Sequence, residues 1–173
     1  FRTLENALVN SIKLSSQEDA LKWAKPVHRL DSATSGLVLL AKTAEAHRKL
    51  SSMFKDKTIE KKYRAIVQGK PKELMIVKDS IEGKESESEL RLLESVHSVK
   101  SDFLSLIELA PKTGRTHQLR VHASHELGLN ISIVGDDLYG KKLNRLHLHA
   151  EKIQFTHPVN QEELTFEVQA DFI

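Results

Sequence analysis

From Ile59 to Val67 the chain alternates: Ile59, Lys61, Tyr63, Ala65 and Val67 fall on one face, and Glu60, Lys62, Arg64 and Ile66 on the other. A period of two specifies a pleated strand with one face on a core. Gly69-Lys70-Pro71 ends it with turn chemistry. Short strands are expected at Leu74–Val77 and Ile131–Val134, and two last strands at Leu146–Phe155 and Leu164–Val168. Leu90–Val96 and Phe103–Leu109 read as an antiparallel pair around Lys100-Ser101-Asp102. The charged, glycine-containing stretch Glu82–Glu89 reads as an exposed loop. Helical spacing is confined to four places. Phe1–Ile12 has Thr3 as a candidate N-cap, and Gln17–Lys25 runs up to Pro26. Thr43 caps a segment reaching about Lys57, with Ala46, Leu50, Met53 and Phe54 on its buried stripe. In Thr116–Leu127, Leu119, Ala123 and Leu127 face a core, His117, Arg120 and Ser124 lie on another face, and Gly128 is the expected C-cap. Strands outnumber helices without regular βαβ alternation, so the fold class is α+β with a mainly antiparallel or mixed sheet.

The 173 residues fit one domain with a real core. With 39% hydrophobic and 29% charged residues, the chain is neither disordered nor membrane-like in composition. No apolar run nears the roughly 18 residues of a spanning helix, and no leader pattern opens the chain. The absence of cysteine excludes disulfides and thiolate catalysis and suits an intracellular, cytoplasmic setting. Net charge is 26 − 24 = +2, which does not by itself announce a nucleic-acid binder. The basic residues do cluster: Lys55, Lys57, Lys61, Lys62 and Arg64; then Lys112, Arg115 and Arg120; then Lys141, Lys142 and Arg145.

Chemistry concentrates in His28-Arg29-Leu30-Asp31-Ser32-Ala33-Thr34-Ser35-Gly36-Leu37, which sets one carboxylate in a turn-rich loop before the apolar strand expected at Leu37–Ala41. Read blandly, Asp31 is a turn residue ahead of a core strand. A second stretch, Thr113-Gly114-Arg115-Thr116-His117-Gln118-Leu119-Arg120-Val121-His122, offers a tight entry to a helix, whose first amides can hold phosphate. Its arginines can contact phosphate or pair with a buried carboxylate. Alone, it would pass for a solvated helix face. Tyr63 would pass for a core or rim aromatic. The nine histidines include no set with metal-ligand spacing, since His117, His122 and His125 do not stack on one helical face. Neither a nucleophile elbow nor a glycine-rich phosphate loop is present.

Together these stretches resemble the RluA-type RNA pseudouridine synthases, with HRLDxxTSGL, KxYxAxVxG, GRTHQLRxH and an HA…HP ending in the family's order from about Val27 to Phe172. The resemblance implies a central mixed, largely antiparallel sheet with flanking helices, and a uridine isomerase needing neither cofactor nor metal. It makes Asp31 the nucleophile, Arg120 its ionic partner, and Tyr63 the residue that stacks on the base and assists proton removal. Arg29 would fill the space of a flipped nucleotide, and Leu148 would pack below the base. His28, Thr34, Arg115 and His117 complete the expected substrate contacts. The implied partner is structured RNA, a stem-loop of rRNA or tRNA, met by a monomer away from membranes. Two departures stand out. The family's opening strand with a KPxG-like motif has no counterpart, so the chain is expected to be a single catalytic domain shortened at its N terminus. Gly128-Leu129-Asn130-Ile131-Ser132 replaces the usual short link before the IVGD string. The competing expectations are a noncatalytic RNA-binding module and a metal-dependent nuclease built on the histidines.

Overall fold

The computed structural model describes residues 4, 7, 11–99 and 101–172. The helix expected over Phe1–Ile12 falls mostly outside them, as does Lys100 of the expected turn. The chain forms two compact units. No helix among the described residues is long and apolar enough to cross a membrane.

The first unit comprises Phe1–Leu30, Val38–Ile59 and Gln154–Thr165. Here β1 (Ala20–Pro26) pairs antiparallel with β3 (Leu40–Thr43), and α1 (Ala44–Lys55) follows directly. Thr43 caps α1 as expected, its hydroxyl accepting from the Ala46 amide at 3.1 Å, while Asp19 accepts from the Glu45 amide at 2.8 Å. Leu50 is buried on the predicted stripe. The helix expected over Gln17–Lys25 is instead β1. Its single buried residue, Ala24, lies in the strand that pairs with β3, where Ala41 is buried too, and that ladder overrides local helix propensity. The strand expected from Leu37 begins only at Leu40, because a separate two-residue strand, β2 (Ser35–Gly36), precedes it.

The second unit comprises Asp31–Leu37, Glu60–Ile153 and Phe166–Ile173. Its sheet runs β2-β8-β4-β7-β6-β5, with β4 (Glu60–Val67), β5 (Leu74–Ile81), β6 (Lys84–Ser98), β7 (Asp102–Pro111) and β8 (Leu148–Thr156). β9 (Glu163–Glu167) pairs with β8 beside that path. β2 is parallel to β8, whereas β4–β7, β6–β7 and β5–β6 are antiparallel, so the sheet is mixed as expected. The inner face of β4 behaves as its alternation requires. Ala65 and Val67 join Val77, Leu90, Ile107 and Leu109 in the core, closed by Leu119 and Ala123 of α2 (Gln118–Ser124). Each large side chain so buried contributes roughly 1.5–3 kcal/mol.

Three expectations fail here for physical reasons. Glu82–Glu89 is no loop. Glu82 and Gly83, both at positive φ (51° and 73°), make the two-residue hairpin turn whose twist suits antiparallel strands, and β6 starts at Lys84. Ser86 and Ser88 look like loop residues yet are buried, because His122 and Gln118 supply their hydrogen bonds. Second, α2 stops at Ser124, since His125 turns extended, and Leu127 is exposed rather than in the core. Gly128 is therefore not the C-cap; a Cβ there would collide with the His122 carbonyl. Third, residues 131–134 form no strand, only an isolated bridge between Ile133 and Val67.

Candidate active site

Asp31 opens the second unit's segment Asp31–Leu37. Its carbonyl accepts from the Thr34 amide at 2.9 Å, closing a tight turn. Directly after Thr34, β2 aligns Ser35 with His149 and Gly36 with Ala150, and the Leu37 amide donates to the Ala150 carbonyl at 2.9 Å. Gly36 sits at φ 115°, and a Cβ there would collide with the Ala150 backbone. Only glycine lets the loop lie this close to β8. The Thr34 hydroxyl is buried with no hydrogen-bond partner among the described residues.

Tyr63 stands on β4 opposite Leu109. Burial, with the Asp31 charge second, pushes its phenol up from 10.0 to about 12. The field of Asp31 thus reaches Tyr63, and the phenol keeps its proton at neutral pH. A tyrosine whose folded-state value exceeds the unfolded one leaves the folded state binding more protons above pH 10. Stability should therefore fall as pH rises from about 10 to about 12. Urea melts of Tyr63→Phe should show a shallower alkaline decline while keeping the acid side of the pH profile.

Arg120 corrects the expectation drawn for it. It is 3% exposed, and its guanidinium pairs not with Asp31 but with Asp136: Nε to Oδ2 at 2.8 Å and Nη2 to Oδ1 at 2.6 Å. Nη2 also reaches Asp137 at 2.9 Å. Burial alone would raise the Asp136 carboxyl. The Arg120 bonds and the amides of Tyr139 and Leu138 outweigh it and hold the carboxyl below its usual range. A carboxylate 1% exposed needs a countercharge at hand, and Arg120 is that charge. Nor is Arg120 on a free face, as its helical spacing suggested.

Its guanidinium also lies 5.3 Å from the Tyr139 ring, whose hydroxyl is 3.1 Å from His117 Nδ1. His117 holds a left-handed backbone, φ 53°, at the start of α2. Burial raises the Tyr139 phenol, and Asp31 is among the charges acting on it. Asp31, Tyr63, Tyr139 and the Arg120 group thus share one electrostatic neighbourhood.

The surroundings of the other expected contacts are as follows. Arg115 Nε donates to the Glu85 carbonyl at 2.9 Å, and its amide donates to Gln118 Oε1 at 3.0 Å. Leu148 is 2% exposed and packed in the core, so it offers almost no surface to a base. His28 and Arg29 belong to the first unit. There His28 Nε2 accepts from the Leu39 amide at 2.9 Å and its ring stacks on Phe54 at 4.5 Å, while Arg29 is exposed. Within the basic cluster of β4, Arg64 binds Glu108 at 2.9 Å and Glu151 at 2.7 Å, and Lys62 binds Glu108 at 3.1 Å. Burial lowers the Lys61 ammonium. Arg64, bridging two carboxylates, is thus a structural cation.

Sequence reasoning missed Asp136, Tyr139 and the second half of the GRTHQLRxH stretch as scaffold. Gln118 Oε1 accepts from Thr113 and Arg115, and Nε2 donates to the Glu87 carbonyl and to Ser88. Ser86 donates to the Asp79 carbonyl at 3.0 Å, so His122 Nε2 must carry the proton it shares with Ser86 at 2.8 Å. Burial lowers His122 and keeps it neutral. One clue was available: Asp136 begins Asp-Asp-Leu-Tyr-Gly, and an Asp that accepts from amides two and three residues on is a common turn builder.

Comparison with known proteins agrees with the fold and the motifs. The family model described as RNA pseudouridylate synthase matches residues 3–125. The ribosomal large subunit pseudouridine synthase C of Vibrio cholerae is 36% identical over 167 residues, 83% of this chain and 50% of its own length. The dual-specificity RNA pseudouridine synthase RluA of Salmonella typhi is 36% identical over 170 residues, 86% of this chain and 74% of its own. Human RNA pseudouridylate synthase domain containing 1 superposes with a TM-score of 0.74 at 28% identity, covering 87% of this chain and 70% of that one. The chain thus spans about half the length of the Vibrio relative. A motif order read from the residues, a mixed sheet whose strand β2 follows the Asp31 turn, and relatives matched over most of the chain converge, and the chain belongs to the RNA pseudouridylate synthase family.

Proposed function

We propose that this chain isomerises a specific uridine in structured RNA, of ribosomal or transfer type, to pseudouridine. The observation that carries the reading is the Asp31 loop, moored on β8 with its charge acting on the half-buried Tyr63. Asp31 is the nucleophile. Its carboxylate adds to the substrate, at the ribose anomeric carbon or at the base, as the N1–C1′ bond breaks. The uracil turns, C5 bonds to C1′, the carboxylate leaves, and the C5 proton is lost while N1 gains one. Tyr63 stacks on the uracil. Because its phenol is protonated at neutral pH, any proton it takes from C5 must be matched by loss of its own to a neighbouring carboxylate, and Asp31 is the charge it feels. The Thr34 hydroxyl, which has no hydrogen-bond partner among the described residues, and His117 are candidates for polar contact with the nucleotide, and Arg29 is assigned to the space left by the flipped base. The isomerisation involves no redox change, so the reading calls for no cofactor, and a cytoplasmic setting follows from the substrates.

RNA carrying tritium at uridine C5 should release it on incubation with the protein. A noncatalytic RNA-binding module would bind the same RNA without release. Since Lys62 and Arg64 of β4 are paired with carboxylates, the exposed Lys141 and Lys142 are the better phosphate contacts. Lys141→Glu with Lys142→Glu should weaken stem-loop binding and reduce the slope of log affinity against log salt by about 1–2. An unchanged slope in a filter-binding titration would remove them from the interface.

A further inference from the structure

The strand that moors the nucleophile loop, β2, is only two residues long, and so short a ladder holds little by itself. Ser35 supplements it. His149 Nε2 lies 3.0 Å from the Val168 carbonyl, and a carbonyl only accepts, so that nitrogen carries the proton and Nδ1 is left as acceptor. The Ser35 hydroxyl therefore donates to Nδ1, 2.9 Å away, and its lone pairs accept from Arg145 Nη2 at 3.3 Å. Arg145 is itself held. Its Nη1 donates to both oxygens of Asp171 at 2.8 and 2.7 Å, and its guanidinium lies 5.3 Å from the Phe172 ring. The Arg145 bonds keep the Asp171 carboxyl below its usual range, so the pair stays ionised at neutral pH.

We propose that Arg145 is a positioning residue for the isomerisation: acting through Ser35 and His149, and held by Asp171 and Phe172, it fixes the Asp31 loop in its reactive geometry. The inference rests on Asp31 being the nucleophile. Arg145 and Asp171 are 38% and 71% exposed, and so exposed a pair adds little to global stability. Its consequence is local: it sets the direction of one hydroxyl four residues from Asp31. A misplacement of about 1 Å can cost roughly a hundredfold in rate, which makes such a restraint consequential.

The test uses the full chain with Ser35→Ala, Arg145→Gln, Arg145→Lys and the Ser35→Ala/Arg145→Gln double variant. Single-turnover pseudouridine formation at saturating RNA, RNA Kd and melting temperature are measured for each. Each of Ser35→Ala and Arg145→Gln should slow the chemical step roughly 10–100-fold, with Kd within about twofold of wild type. Arg145→Lys, which keeps the charge and one donor, should recover part of the rate. The double variant should be no slower than the slower single, because both cut one link. Wild-type rates in the singles, losses that multiply in the double, or a loss confined to Kd would each overturn the inference. Should Arg145→Gln fail to fold, Ser35→Ala, which deletes one hydroxyl, decides the matter with Arg145→Lys. A wild-type chain inactive on every RNA would fail the reading of Asp31, whereas an active wild type with an indifferent Ser35→Ala would fail this inference alone.

Discussion

Asp31→Asn should abolish pseudouridine formation while leaving the fold and RNA binding intact. The amide keeps the shape of the side chain but supplies no anionic oxygen to form the adduct, so the loss should reach the detection limit of a tritium-release assay. The structure sharpens what accompanies that loss. Were Arg120 the ionic partner of Asp31, the substitution would leave a buried cation uncompensated and the protein would melt early. Arg120 is held by Asp136 and Asp137 instead. Asp31→Asn should therefore shift stability by no more than about 0.5 kcal/mol, as for an ordinary substitution away from buried partners. RNA affinity should hold or rise slightly, since a negative charge near the phosphate path is gone. Tyr63 should also feel the change, because the second cause of its raised phenol disappears while burial, the larger cause, persists. A folded Asp31→Asn protein that makes pseudouridine at the wild-type rate would end the mechanism.

What could be read from the sequence was what depends on neighbours in the chain. The cap of α1 is local, a threonine three residues ahead of the amide it accepts from, and it stands as expected. The alternation of Ile59–Val67 needs only a core on one side, and Ala65 and Val67 are fully buried. The Asp31 loop was legible because Gly36, the turn-forming residues and the carboxylate all lie within one short string. The misreadings share a different cause. Ser86 and Ser88 look like loop residues until His122 and Gln118, 36 and 30 residues away, satisfy them. Residues 20–26 have fair helical composition until β3 offers a ladder. Arg120 was given the wrong partner because its true one, Asp136, sits 16 residues on in a turn with no periodicity to flag it.

That partnership predicts the largest loss of stability in the second unit. Asp136→Ala should destabilise the protein by about 3–5 kcal/mol, the usual cost of leaving one member of a buried ion pair alone. Three effects add. Arg120, 3% exposed, keeps its charge but loses both bonds to Asp136, retaining only Asp137, which is half exposed. The Leu138 and Tyr139 amides lose the oxygen that shapes their turn. Tyr139, placed by that turn against His117 and beneath Arg120, loses its seat. The pH dependence follows from the sign. The folded-state carboxyl of Asp136 lies below its ordinary value, so its contribution is fully present above about pH 4 and is lost as pH falls through the folded value. Wild type should therefore lose stability on acidification more steeply than Asp136→Ala. Denaturant melts of Asp136→Ala and Asp31→Asn side by side decide between the two pairings. If Asp31→Asn proved the more damaging to the fold, Arg120 would belong to Asp31 in solution.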